Sequence, residues 1–214
     1  MSAKVRPLPN PRCRSRRWTS RHGTSSTETE RLLHYTRTPE ERAILMFAFR
    51  TGARAGEQIA LEASAIDWAN KLIVLRRSST KGVVVERTKG KKIRRVPMSP
   101  ALEAALTKIK HIKGPLVFCN ADGSPLALDQ LHDHLWACCR RAGLRRIKWH
   151  EARHSFASQL VIAGTPMRQV QEWMGHTTLA TTMRYSPLAP GGGREFLEAL
   201  DGPSRTTMAA KSAG

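Results

Sequence analysis

Apolar and polar positions alternate along this chain in two manners, helical through most of its length and strand-like in one stretch. Thr38-Pro39-Glu40-Glu41 joins a capping residue, a proline at the first helical position and a glutamate three after the cap, directly before an apolar run over 43–49. That pattern predicts a helix starting at Thr38 and stopping by Gly52. Residues 55–63 also have helical spacing, whereas 72–75, 82–86 and 93–98 are short runs rich in Val, Ile and Leu between turn-like and cationic residues. A small antiparallel sheet is expected there. Ser99-Pro100 caps a helix reaching about 109, and 128–142 keeps helical spacing up to Gly143. Three shorter helices follow over 150–163, 166–174 and 179–185, closed by Gly164, Gly175 and Pro187. Beyond the joint Gly191-Gly192-Gly193, a last small helix is expected over 194–200 and a loose tail over 202–214. No internal repeat is visible. The expected fold class is α+β, mainly α, with a small antiparallel β-sheet at one edge.

The 214 residues suffice for a core that needs neither disulfides nor metal. What departs from average is the charge: 36 Lys and Arg against 17 Asp and Glu, a formal +19. Such an excess seeks a polyanion, most often nucleic acid. Residues 1–27 hold Lys4, Arg6, Arg12, Arg14, Arg16, Arg17 and Arg21 with no acid and no apolar period, which reads as a disordered basic arm. The remainder still has 29 basic against 17 acidic residues, so the folded part shares the bias. The expected organisation is an arm over 1–27, a folded domain over 28–190, and a joint, short helix and tail over 191–214. Cys13, Cys119, Cys138 and Cys139 show no framework spacing, which suits a reducing cytoplasm. With no apolar N-terminal region and no stretch approaching 18 apolar residues, a soluble intracellular protein is expected, nucleoid-associated if its partner is double-stranded DNA.

Five cationic or imidazole positions and one tyrosine stand out against this background. They are Arg54 in TGARAGE, Lys89 in TKGKKIRRVP, His150 and Arg153 in HEARH, His176 in MGH, and Tyr185 in TTMRYSP. Arg54 follows a glycine turn near a helix start, where backbone N–H groups and the helix dipole also favour an anion. His150 and Arg153 lie three apart on one helix and share a face. The break at Gly175 can turn Tyr185 back toward His176. Two guanidinium forks can hold both non-bridging oxygens of a phosphodiester and stabilise the extra charge of a pentacoordinate state. A phenol needs a positive field and a base such as His150 to attack. The leaving sugar hydroxyl needs a proton donor, for which Lys89 is suited among Lys91, Lys92, Arg94 and Arg95. Those four cations are themselves expected to meet DNA phosphates, giving steeply salt-dependent binding.

TGARAGE, TKGKKIRRVP, HEARHSFASQL and GHTTLATTMRY resemble the catalytic domain of the tyrosine recombinase, or phage integrase, family over about 38–188. The resemblance implies phosphate binding by Arg54 and Arg153, Lys89 as general acid, His150 as general base, His176 as a second phosphate-side histidine and Tyr185 as nucleophile. It implies a covalent 3′-phosphotyrosyl link formed without metal, ATP or other cofactor. It also implies a homo-tetramer on two double-stranded DNA sites, accessory DNA-bending proteins, and a separate helical clamping domain that the residues before Thr38 are too few to form. A non-catalytic or partner-dependent DNA-binding remnant is the alternative, and would bind DNA without cleaving it. A type IB topoisomerase would instead relax any supercoiled DNA.

HEARH also matches the zinc-peptidase pattern H-E-x-x-H. Its extension fails at Ala157 and Leu160, and a zinc reading leaves Arg54, Lys89 and Tyr185 unused. His132, His134, Cys138 and Cys139 read as structural or surface residues, since histidines two apart point to different sides of a helix. The five tryptophans are scattered and suit packing more than base stacking.

Overall fold

The computed structural model describes residues 23–80, 83–85, 93–110 and 113–190; the expected basic arm up to residue 22 and the C-terminal joint, helix and tail lie outside them. The first helix, α1 (Ser26–His34), was not foreseen. Its start is a capping box, with Ser25 Oγ accepting from the Glu28 N–H at 3.1 Å and the Glu28 carboxylate accepting from the Ser25 N–H at 2.9 Å. The buried Thr24 hydroxyl shares hydrogen bonds with Thr29 and Ser155. Residues 24–27, expected in the arm, therefore belong to the folded body.

Helix α2 (Pro39–Thr51) begins and ends where the sequence indicates, at the Thr38 cap and at Gly52, whose φ of 59° is left-handed. Every residue from Ala43 to Phe49 is buried, as a helix apolar on all sides must be. It packs against α4 (Pro100–Thr107), α5 (Leu128–Arg141) and α6 (Trp149–Ile162), forming the axis of the core. A short α3 (Ala55–Ile59) ends earlier than expected and gives way to a 3₁₀ turn, Ala63–Ala65. After α6 come α7 (Met167–Met174) and α8 (Leu179–Met183).

The β-structure divides in two. Strands β1 (Ile66–Asp67), β2 (Leu72–Leu75) and β5 (Arg94–Pro97) form an antiparallel sheet in the order β1-β2-β5, with Ile73 opposite both Ile66 and Val96. The valine run expected to join it instead forms β4 (Val83–Val85), paired only with the polar β3 (Ser78–Thr80) in a separate ribbon. The three exposed valines of β4 lack the one-sided burial that would fit them to the main sheet. On β5 alternate residues turn inward, Arg94 and Val96 buried, Arg95 and Pro97 exposed. Among the described residues, no helix is long and apolar enough to cross a membrane.

Candidate active site

Two helix ends converge on Arg153. From the buried first turns of α6 its guanidinium donates to the Gly52 carbonyl, at the end of α2, at 2.5 Å and to the Met174 carbonyl, the last of α7. Both are carbonyls left unpaired by their helices, at dipole ends that favour a cation. Burial, then the charges of Arg94 and Arg54, lower the pKa of Arg153 to about 9, which still leaves it cationic at neutral pH.

Arg54 stands at the N-terminus of α3, its side chain 36% exposed, and donates through Nη1 to Glu57 Oε1 at 2.9 Å. The Glu57 carboxylate also accepts from the Arg54 backbone N–H at 2.8 Å and pairs with Arg94. Burial alone would raise the Glu57 pKa, but the charges of Arg94, Arg54 and Arg153, with the Arg54 N–H, hold it below the usual carboxylate range. Arg94 is 3% exposed and donates in addition to the Trp173 carbonyl. The expectation that Arg94 meets DNA directly is thereby corrected: it shares the inward face of β5 with Val96 and serves the interior. Gly175 lets it through, since a Cβ there would collide with the Arg94 side chain, and its φ of 62° closes α7. Of the remaining expected DNA contacts, Arg95 is exposed, while Lys91 and Lys92 lie outside the described residues, as does Lys89.

Tyr185 is 1% exposed and lies beyond the end of α8, at the cap of a 3₁₀ turn, Ser186–Leu188, instead of on the expected helix. Its hydroxyl is 2.5 Å from His154 Nδ1. His150, one turn before His154 on α6, sets its ring edge-on to that imidazole, the centroids 4.6 Å apart and the planes at 89°. On the other side His176 Nδ1 meets the Thr182 hydroxyl at 2.9 Å. Burial, then the neighbouring charges, push His154 and His176 down to about 4 and lower His150 too. For His154 those neighbours are His150, Arg184 and Arg153, and for His176 they are Arg153, Arg54, Arg94 and Arg184. All three imidazoles are therefore neutral at pH 7. Burial raises the Tyr185 pKa, against the opposing pull of Arg184 and Arg153.

Five of the six expected catalytic residues are thus described, and they gather around the ends of α2, α6 and α7. A cleft beside them is lined by Arg54, His150 and Arg153, with Leu128, His132 and Trp149 on its wall. Sequence reasoning assigned no role to Glu57 or His154, although both stand inside the motifs it singled out. Within H-E-x-x-H, Glu151 pairs with Arg145 and His154 with Tyr185, and among the described residues no group of three or more His, Cys, Asp or Glu side chains is arranged so that it could hold a metal ion.

A family model described as the phage integrase family matches residues 24–190. The tyrosine recombinase XerD of Lacticaseibacillus casei is 30% identical over 159 residues, covering 70% of this chain and 50% of that protein. XerD of Mycobacterium tuberculosis (strain H37Rv) is 32% identical over 160 residues, covering 70% and 48%. The chain spans about half the length of these curated relatives. Among solved structures, the site-specific recombinase XerH bound to difH substrate superposes with a TM-score of 0.64 at 25% identity, over 84% of this chain and 53% of that one. The catalytic domain of bacteriophage HP1 integrase superposes with a TM-score of 0.62 at 24% identity, over 86% and 96%.

Proposed function

The chain belongs to the phage integrase family, and from that membership we propose that it is a site-specific tyrosine recombinase that cuts and rejoins DNA strands through Tyr185. The observation that carries this reading is the enclosure of one phenol and a set of guanidinium and imidazole groups on a single chain, with the Tyr185 hydroxyl 2.5 Å from an imidazole nitrogen. Arg54 and Arg153 would grip the non-bridging oxygens of the scissile phosphodiester. Each guanidinium nitrogen that already donates to protein retains a second hydrogen for the phosphate. His176, tied to Thr182, would face the same phosphate.

The Tyr185 oxygen attacks phosphorus, the bond to the 5′ oxygen breaks, and the chain is left joined to the 3′ phosphate. The phenol proton passes to an imidazole, and the 5′ oxygen takes a proton from Lys89. A phosphodiester replaces a phosphodiester, so the bond energy is kept for the return attack by a 5′ hydroxyl and no ATP is consumed. His150 and His154 supply the imidazoles that the step needs as base. The substrate is double-stranded DNA, met by Arg95, Lys91 and Lys92, and two sites are brought together by a tetramer.

A denaturing gel tests this: nicked fragments of the DNA flanking the gene are incubated with the chain in EDTA, with Tyr185→Phe as control. An EDTA-resistant adduct that needs Tyr185 supports the reading. Salt-sensitive DNA binding with no adduct would favour a non-catalytic DNA-binding protein instead.

A further inference from the structure

Helix α8 buries one side chain, and it is a threonine: Thr182 is 0% exposed, while Leu179 and Met183 of the same helix are 43% and 45% exposed. A hydroxyl taken out of water needs a partner, and that of Thr182 meets His176 Nδ1 at 2.9 Å. We propose that Thr182 is a positioning residue, whose hydroxyl donates to His176 Nδ1 and so holds the imidazole as the tautomer with its proton on Nε2, turned to the scissile phosphate. This rests on the reading of Tyr185 as nucleophile and of His176 as a group that faces the phosphate.

A neutral imidazole has one N–H and one bare nitrogen, and the hydrogen bond made by one nitrogen decides what the other can do. Burial, then the charges of Arg153, Arg54, Arg94 and Arg184, keep His176 neutral at pH 7. The non-bridging oxygens of a phosphodiester only accept, so a neutral His176 serves them through an N–H. With Nδ1 taken by Thr182, that N–H has to be on Nε2, which makes Nδ1 the acceptor and the threonine hydroxyl the donor. The opposite tautomer would set a bare nitrogen lone pair against the phosphate. The backbone of His176 is fixed separately, its N–H donating to the Gln171 carbonyl at 3.1 Å and its carbonyl accepting from Gln171 Nε2 at 3.2 Å. What remains to be set is the ring, and Thr182 holds it. The Thr182 carbonyl also accepts from the Tyr185 N–H at 3.0 Å, so the residue that orients His176 is built into the turn that carries the nucleophile.

The test has two arms on the full chain. In the first, the eight histidines are labelled with nitrogen-15 and the His176 signals are assigned by their loss in His176→Asn. At pH 7 the expected state has Nδ1 bare and Nε2 protonated. Thr182→Val, which keeps the shape and removes the hydroxyl, should move the Nδ1 resonance, and Thr182→Ser should bring it back. A proton on Nδ1 in the unaltered chain, or a resonance indifferent to Thr182→Val, would overturn the proposal without any DNA. Should Thr182→Val fail to fold, the tautomer of the unaltered chain decides this arm alone.

In the second arm, adduct formation is timed with flanking-DNA fragments, and Tm is followed beside it so that a rate lost to unfolding is told apart from one lost to the ring. Thr182→Val should slow cleavage by about tenfold or more, the scale on which the outer hydrogen-bond partner of a metal-bound histidine acts, and Thr182→Ser should recover most of that loss. Cleavage by a folded Thr182→Val within about threefold of the unaltered chain, or a Thr182→Ser as slow as the valine variant, would reduce the threonine to packing and sink the assignment. If the unaltered chain forms no adduct at all, the tyrosine reading itself has failed, and Thr182 loses its part in cleavage whatever tautomer the first arm finds.

Discussion

Arg94 of β5 and Glu57 of α3 form an ion pair whose side chains are 2% and 0% exposed. Glu57 at once receives Arg54, so a single carboxylate fixes one guanidinium that is shut away and one that faces the cleft. Replacing it leaves cations packed together with their counter-charge gone. Glu57→Gln should lower the unfolding free energy by about 3–5 kcal/mol, the usual cost of breaking a buried pair by removing one partner. Urea unfolding followed by circular dichroism measures this, and a loss below about 1 kcal/mol would mean that water reaches the pair.

Arg54→Ala and Arg153→Ala should each slow single-turnover cleavage by about 10² to 10³, as does loss of one donor to a transition-state oxyanion. They should part company in stability. Arg153 bridges the ends of two helices from inside the fold, whereas Arg54 is at the surface, so only Arg153→Ala should also lower Tm by several degrees. Equal Tm values would show that the bridge is not structural.

The phenol and the imidazole it meets lie on one chain. Mixing Tyr185→Phe with Arg153→Ala should therefore restore no adduct, because neither chain has a complete site to lend. Recovery to half or more of the activity expected from equal mixing would show that the nucleophile is delivered to a neighbouring subunit.

His150, His154 and His176 all have pKa values depressed by folding, the last two from the ordinary 6.5 to about 4. Between pH 4 and 6.5 the unfolded chain binds more protons than the folded one, so stability rises with pH across that window and is lost as pH falls. Glu57, also depressed, acts in the same direction below its ordinary value of 4.5. Tm should be lower at pH 5 than at pH 7, and His154→Asn should flatten the dependence. A flat profile in the unaltered chain would place these imidazoles in water.

Gly175→Ala confronts both a left-handed φ and the side chain of Arg94. The backbone strain alone amounts to about 1–2 kcal/mol, and displacing Arg94 from Glu57 adds to it. Thermal unfolding should show the loss, with cleavage falling as well because α7 also carries the Met174 carbonyl that holds Arg153. A variant as stable as the parent would mean that α7 tilts freely.

Local signals reached far into this fold where they were self-contained. Thr38-Pro39 and Ser99-Pro100 each announce a helix by chemistry confined to a single turn, and both helices start there. Helix α1 has an equally explicit signature, Ser25 followed three residues later by Glu28, but it abuts the arginine-rich stretch, whose lack of apolar period hides it. The burial of Arg94 was also within reach, because Val96 is an inward position and period two puts Arg94 on the same side. The ribbon was not legible, since nothing in Ser78–Thr80 announces a strand and only pairing makes it one.

In the site, residue types and order pointed to the cluster, but not to its internal partners. Glu57 looked like one more polar residue of a helix start, and it matters because three arginines come to it from different elements. His154 was read through the spacing of His150 and Arg153. Its meeting with Tyr185 depends on α8 stopping at Met183 and the chain folding back, which is a tertiary outcome.

His150, Arg153 and His154 ride on one fourteen-residue helix docked against the core axis, whereas Tyr185 sits between a five-residue helix and a single 3₁₀ turn. The first three have their backbone positions fixed relative to one another by α6, so only side-chain rotation can change their mutual distances. Adjustment of the nucleophile against a bound phosphate therefore falls to the chain after Met183, whose short elements are of the kind that open below the free energy of global unfolding. Fitting the nucleophile to its target is then a task for a few residues, and amide exchange at 184–186 and 188 should run ahead of exchange within α6.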